Sequence, residues 1–161
     1  MIIMDMNQIS LASLMMDLNM RKSNEVREDL VRHMILNSIR MYRTDFHQEF
    51  GEIVLTYDSK HYWRRDYFPN YKAGRKKGRE NDSKDWDAIF NCLNKIKSEF
   101  KENLPYKYLE IYGAEADDII ATLCKNLGTA NKIMIVSGDK DLFSYKNILM
   151  CNSIVLYSRS M

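Results

Sequence analysis

Residues 132–141 read Lys-Ile-Met-Ile-Val-Ser-Gly-Asp-Lys-Asp: an apolar run, a tight Ser137-Gly138 turn, then two acids. A short continuous apolar run bounded by turn residues predicts a strand buried on both faces, here Lys132 to Val136. Immediately upstream, Ile119, Ile120, Leu123 and Leu127 recur at helical spacing over Glu115 to Leu127. Gly128 follows where a left-handed helix cap is expected. Further back, Lys107 to Tyr112, Ile53 to Tyr57 and Ile2-Ile3-Met4 repeat the apolar strand pattern. Between them the spacing predicts a helix beginning near Ser23 or Asn24, with Val26, Leu30, Met34, Ile35, Ile39 and Tyr42 on its apolar face. A second is capped by Ser83, with Asp85 and Asp87 in its first turn and Trp86, Ile89, Phe90, Leu93, Ile96 and Phe100 as its buried stripe. Pro105 ends that helix, and Ser153 to Tyr157 is a candidate fifth strand. Alternation of this kind predicts an α/β fold with a mostly parallel central sheet flanked by helices.

The acids fall at regular places in that pattern. Asp5 ends the first strand and Asp58 the second; Glu115 and Asp117 lie just past the third, Asp139 and Asp141 just past the fourth. In an open parallel sheet all carboxyl ends share one edge, and ligands bind in the crevice there. Six carboxylates from four chain segments are therefore expected to converge. Crowded carboxylates repel one another, and a hard divalent cation removes that penalty. Magnesium fits an all-oxygen donor set, with manganese an expected substitute, and two such ions suit in-line phosphoryl displacement. A lone aspartate after a strand also serves as a turn former or helix cap, and Glu115, Asp117 and Asp118 near a helix start also complement its dipole. His33, His47 and His61 are scattered and give no zinc pattern, and no G-x-S-x-G serine elbow occurs.

A basic block occupies the middle of the chain. Arg64, Arg65, Lys72, Arg75, Lys76, Lys77 and Arg79 are interleaved with Tyr62, Trp63, Tyr67, Phe68 and Tyr71. Cations contact phosphates and aromatic faces stack on unpaired bases, so Arg64, Arg65, Tyr71, Lys76, Lys77 and Arg79 are read as nucleic-acid contacts. If Tyr71 to Arg79 is helical, Lys72 and Arg75 share a face that can reach a phosphate at the acidic edge. Gly74 and Gly78 weaken that helix. Trp63 is either part of this surface or a core anchor.

With 161 residues, 45% hydrophobic and 29% charged, the chain has the composition of one globular domain. The net charge of +2 says little about partners; the distribution says more. Cys92, Cys124 and Cys151 form no C-x-x-C pair, which predicts reduced thiols and a cytoplasmic location. No apolar run is long enough to span a membrane, so no membrane partner is expected.

The segments Ile3-Met4-Asp5, Thr56-Tyr57-Asp58, Tyr62-Trp63-Arg64-Arg65-Asp66, Tyr71-Lys72-Ala73-Gly74-Arg75, Glu115-Ala116-Asp117-Asp118 and Ser137-Gly138-Asp139-Lys140-Asp141 occur in a telling order. Together they resemble flap-endonuclease-type 5′-nucleases, in particular the phage ribonuclease H branch, across essentially the whole chain. The resemblance implies a PIN-like 5′-3′ exonuclease N-terminal catalytic domain over 1–161, with a basic arch or gateway segment at about 60–84. It implies metal ligands at Asp5, Asp58, Glu115, Asp117, Asp139 and Asp141, and a gateway pair at Lys72 and Arg75. It further implies magnesium-dependent cleavage near 5′ ends of RNA–DNA hybrids, duplex DNA or flaps, with RNA primer removal in phage replication. The family's C-terminal helix-hairpin-helix-type region is expected to be absent. Expected partners are therefore DNA, RNA–DNA hybrid, and a separate C-terminal chain or replication proteins. Two alternatives stand beside this reading: a catalytically weak half of a split nuclease, and a small stand-alone PIN-type ribonuclease.

Overall fold

The computed structural model describes residues 1–128, 130–139 and 142, and the backbone of 149–151. Its centre is a sheet of β1 (Ile2–Asp5), β2 (Ile53–Tyr57), β3 (Lys107–Glu110), β4 (Met134–Val136) and β5 (Leu149–Cys151). The spatial order is β3-β2-β1-β4-β5, and every pairing is parallel. Met4 lies opposite Leu55 on one side and Val136 on the other, so β1 is the central strand. Strand order runs outward in one direction from β1 to β3 and in the other from β4 to β5. The reversal between β1 and β4 is the topological switch point, where such sheets open a crevice at their carboxyl ends.

The helices are α1 (Met6–Arg21), α2 (Glu28–Phe50), α3 (Arg64–Tyr67), α4 (Ala73–Glu80), α5 (Trp86–Asn103) and α6 (Ala116–Leu127). Side chains alternate across the sheet. Ile2, Met4, Ile53, Leu55, Met134 and Val136 face the larger core, packed with Ile9 and Leu14 of α1, Ile35 of α2 and Ile89 of α5. Ile3, Ile133 and Ile135 face the opposite side, against Ile120 and Cys124 of α6. Burial on both faces explains why these strands read as unbroken apolar runs. No helix among the described residues is long and apolar enough to cross a membrane.

Several element boundaries depart from expectation. Helix α1 was not anticipated at all: it begins at the residue after β1, with Asp5 as its N-cap accepting from the Gln8 N–H at 3.2 Å. The second helix starts at Glu28, not at Ser23 or Asn24, because the Ser23 hydroxyl accepts from Glu25 N–H in a local turn. Its buried stripe is Val31, Ile35, Ser38, Ile39 and Tyr42, so Leu30 and Met34 sit at the margin. The cap of α5 is Asp85 itself, accepting from Ala88 N–H at 2.9 Å, and not Ser83. Strand β3 ends at Glu110 because the chain turns back through Gly113, whose φ of 84° lies in the left-handed region. Strand β4 is shorter than expected, with Lys132 and Ile133 preceding it. Gly128 is right-handed, with φ −67°, and not a left-handed cap. What favours glycine there is space, since a Cβ would sit 2.5 Å from the Cys124 carbonyl oxygen. The expected strand at 153–157 lies outside the described residues.

Candidate active site

An open cleft of about 750 Å³ lies at the carboxyl edge of the sheet, and Asp5, Asp58, Asp117 and Asp139 all line it. Asp5, Asp58 and Asp139 reach it from the ends of β1, β2 and β4, and Asp117 from the first turn of α6, the helix that follows β3. Asp5, almost fully buried, accepts from Gln8 N–H with Oδ1 and from the Ser137 hydroxyl with Oδ2 at 3.1 Å. Asp58 accepts from the Ala116 N–H at 2.7 Å, and its own N–H donates to Asn7 at 3.2 Å. The Asp139 N–H donates to Ser137 Oγ at 3.1 Å. These bonds fix the edge of the sheet from the protein side.

The electrostatics show how closely the acids sense one another. Burial chiefly, with the charges of Asp117 and Asp58 adding, pushes the Asp5 carboxyl up to about 7, against the bonds from Gln8 and Ser137. Burial, then the charges of Asp139 and Asp58, pushes Asp117 up to about 6. Yet among the described residues no three His, Cys, Asp or Glu are already grouped closely enough to hold a metal ion. The four aspartates share a cleft without forming a closed cage. Asp141 lies outside the described residues.

Glu115 is placed differently. It caps α6 in a reciprocal capping box with Asp118, only 2% exposed, and is not among the cleft-lining residues. Three groups from the basic block converge on it: Lys72 Nζ at 2.6 Å, Arg64 Nη1 at 2.9 Å and the Tyr71 hydroxyl at 3.1 Å. Arg64 also makes a two-pronged bond to Asp118, at 2.7 and 2.8 Å. Burial tends to discharge Lys72, but its bond to Glu115 outweighs this and holds the ammonium above its ordinary pKa. Asp118 is likewise held below the usual carboxylate range, Arg64 and the Glu115 N–H overcoming its partial burial.

Helix α4 crosses above the cleft with no buried residue of its own. Lys72 is its N-cap and not part of its helical face, with a left-handed φ of 58° that only strain-tolerant positions adopt. Lys72, Arg75 and Arg79 line the cleft, whereas Lys76 and Lys77 are exposed and do not. Arg79 lies over Trp86 and Phe90, at 5.8 and 5.3 Å from their ring centroids. Arg65 is exposed and lies over the Tyr62 ring at 4.5 Å. Trp63 is no core anchor: 43% exposed, it donates its indole N–H to Asp118 at 3.3 Å.

The family model of the 5′-3′ exonuclease N-terminal resolvase-like domain matches residues 3–158, nearly the whole chain. The chain belongs to this family. As a member it is 36% identical over 154 residues to the ribonuclease H of Enterobacteria phage T4, covering 91% of this chain and 50% of that protein. It is 39% identical over 79 residues to the flap endonuclease Xni of Shewanella pealeana, covering 48% of this chain and 27% of the relative. A bacteriophage T5 5′-exonuclease solved with divalent zinc bound shares the fold at a TM-score of 0.63 and 17% identity, over 88% of this chain and 49% of that one. A T5 flap endonuclease in a pseudo-enzyme–product complex with DNA and metal ions shares it at 0.62 and 18%, over 86% and 48%. The chain thus spans about half the length of the T4 ribonuclease H and of the T5 proteins it matches.

Within this 5′-3′ exonuclease domain, two positions, Gln8 and Asn7, escaped sequence reasoning. Gln8 Oε1 accepts from the Gly138 N–H at 2.6 Å and lies 3.3 Å from Ser137 Oγ, tying the turn after β4 to the first turn of α1. A Cβ at Gly138 would lie 3.0 Å from that oxygen, so the glycine permits the close approach. Asn7 does the same for the end of β2. No local signal marks Gln8 or Asn7, because each acts on a segment distant in sequence. Ser137, by contrast, sits in a turn the sequence does mark.

Proposed function

We propose that this domain is the catalytic half of a divalent-metal-dependent 5′-nuclease that hydrolyses phosphodiesters near the 5′ ends of flaps, duplex DNA and RNA–DNA hybrids. The observation that carries this reading is the cleft itself, lined by four aspartates from four separate chain segments together with Lys72, Arg75 and Arg79. Carboxylate, amide and hydroxyl oxygens supply the donors there, and among the described residues neither His nor Cys lines it. That donor set, with two carboxyls driven upward by burial and mutual repulsion, fits a hard cation such as magnesium better than zinc. Asp5, Asp58, Asp117 and Asp139 would hold one or two such ions, directly or through water, with Glu115 and Asp141 as further ligands. Bound there, magnesium supplies positive charge beside the scissile phosphate and lowers the pKa of water.

The chain's own residues do the rest. Asp5 and Asp58 are held in place by Ser137, Gln8 and the Ala116 N–H, so little reorganisation is needed at the moment of reaction. Lys72 and Arg75 face the scissile phosphate and offset the charge that grows on its oxygens. Removal of RNA primers during phage replication in the host cytoplasm suits this chemistry and the likeness to a phage ribonuclease H. Asp58→Asn and Asp139→Asn are each expected to lower magnesium-dependent cleavage of a 5′-flap or hybrid at least about 100-fold with unchanged circular dichroism. Cleavage at the wild-type rate by either folded variant refutes the assignment.

One other reading, a catalytically weak nucleic-acid-binding module, is favoured by the spread of the acids, since among the described residues no three are grouped closely enough to hold a metal ion. Robust single-turnover cleavage of a 5′-flap by this chain alone excludes it.

A further inference from the structure

Asn7 and Gln8 stand in the first turn of α1, immediately after β1, and reach the two strands that flank it. On the β2 side the Asp58 N–H donates to Asn7 Oδ1 at 3.2 Å; on the β4 side the Gly138 N–H donates to Gln8 Oε1 at 2.6 Å. A main-chain N–H must meet an oxygen, so both carboxamides are fixed in orientation, carbonyl toward the chain. Each then has its NH2 group left over. Among the described residues neither NH2 has a hydrogen-bond partner. Both residues are half-buried and both line the cleft beside Asp5. Polar hydrogens at such a place call for an acceptor.

The neighbouring carboxylates are not that acceptor. Asp5 already accepts from the Gln8 N–H and the Ser137 hydroxyl, and Asp58 from the Ala116 N–H. In the nuclease reading their remaining lone pairs face a cation. The oxygen of an anionic ligand is the acceptor that fits, and Lys72, Arg75 and Arg79 draw such a ligand into the same cleft. Neutral donors suit this position better than charged ones. A lysine among Asp5, Asp58 and Asp139 would pair with them, as Lys72 does with Glu115, and compete with the cation. A carboxamide offers N–H bonds to a charged oxygen without adding charge of its own.

We propose that the side-chain NH2 groups of Asn7 and Gln8 donate to phosphate oxygens of the strand being cut, gripping the backbone from α1 while α4 supplies the cations, an inference that rests on the nuclease reading above. Affinity for a 5′-flap is measured in calcium by fluorescence anisotropy. Resolved methylphosphonates, each with one phosphate oxygen replaced by methyl, are placed at the scissile linkage or at either neighbouring linkage in turn. Loss of a hydrogen bond to a charged oxygen is expected to cost about 10-fold, so Gln8→Met and Asn7→Leu should each lose that much on the unmodified flap. Where the methyl replaces the contacted oxygen, the same substitution is expected to cost about 2-fold or less, because the bond is already gone. Gln8→Glu keeps an oxygen for the Gly138 N–H but has no NH2. It is expected to retain the wild-type circular dichroism and to lose at least as much affinity as Gln8→Met. Wild-type affinity in Gln8→Glu overturns the proposal, whether or not Gln8→Met folds. Losses that persist undiminished at every modified linkage also overturn it, and leave both residues as latches between α1 and the strand ends. Magnesium-dependent cleavage of the unmodified flap by the wild type, scored separately, tests the nuclease reading without involving Asn7 or Gln8.

Discussion

Asp5 ends the central strand, caps the following helix through the Gln8 N–H, and faces three other aspartates across the cleft. The first two roles bury it; the third makes burial costly, because a carboxylate removed from water near like charges resists ionisation. Its pKa of about 7, and that of Asp117 near 6, therefore have a consequence for stability. In the unfolded chain an aspartate releases its proton near about 3.9. Between that value and about 7 the folded state holds protons that the unfolded state has lost. Stability of the metal-free protein must then fall as pH rises through this window and level off above it. Urea denaturation in EDTA at several pH values from 5 to 8 is expected to give a declining midpoint. Millimolar magnesium, which favours the ionised forms, is expected to flatten the decline. A midpoint that rises steadily with pH in EDTA shows that these acids are not strained by their neighbours.

Among the elements, those at the acidic edge differ sharply in how much of them sequence reveals. Helix α6 was legible because Ile119, Ile120, Leu123 and Leu127 recur at helical spacing, whereas the capping box between Glu115 and Asp118 emerges only in the structure. Helix α1 was not: no loop separates it from β1, and its buried face mixes Ser10, Ser13 and Asp17 with Met6, Ile9 and Leu14, blurring the period. Its cap was visible only as a candidate ligand. The strand-end aspartates were readable because the parallel sheet alone puts them on one edge. The capture of Glu115 by Lys72 and Arg64 was not, since it joins groups 43 and 51 residues apart through a loop whose path no local rule dictates. Helix α4 lies at the other extreme of support. It buries nothing and contains Gly74 and Gly78, at neither of which would a Cβ meet an atom within 4 Å. Its persistence rests on backbone preference, so Gly74→Ala and Gly78→Ala are each expected to stabilise it by about 0.5–1 kcal/mol. Amide exchange over 73–80 is expected to slow about 2- to 5-fold per substitution, with little change in exchange across β1 and β2. Unchanged exchange in α4 means that contacts, not propensity, set its order.

On the scale of the whole molecule, the switch point between β1 and β4 separates two kinds of surface. Below it the sheet is covered on both faces and its strands are almost wholly apolar. Above it the chain gathers negative charge at the strand ends and positive charge on the segment from Arg64 to Arg79, although the net charge is only +2. A small net charge with a strong internal dipole distinguishes local contact with a polyanion from general adhesion to one. Salt dependence measures that contact. Each phosphate neutralised by a cation should add about 0.9 to the negative slope of log affinity against log salt on duplex DNA. Lys72 and Arg75 line the cleft, whereas Lys76 and Lys77 do not, so the two pairs should separate. Removal of Lys72 and Arg75 together, measured in calcium by fluorescence anisotropy on a 5′-flap, is expected to flatten the slope by about 1 to 2. Removal of Lys76 and Lys77 should flatten it less. Lys72 enters the comparison already bonded to Glu115, so engaging phosphate costs it an existing ion pair; its single substitution should therefore lower affinity at low salt less than that of Arg75. A slope identical to wild type in Lys72→Ala/Arg75→Ala means that neither cation touches the backbone, and the basic segment then owes its place over the cleft to Glu115 and Asp118 alone.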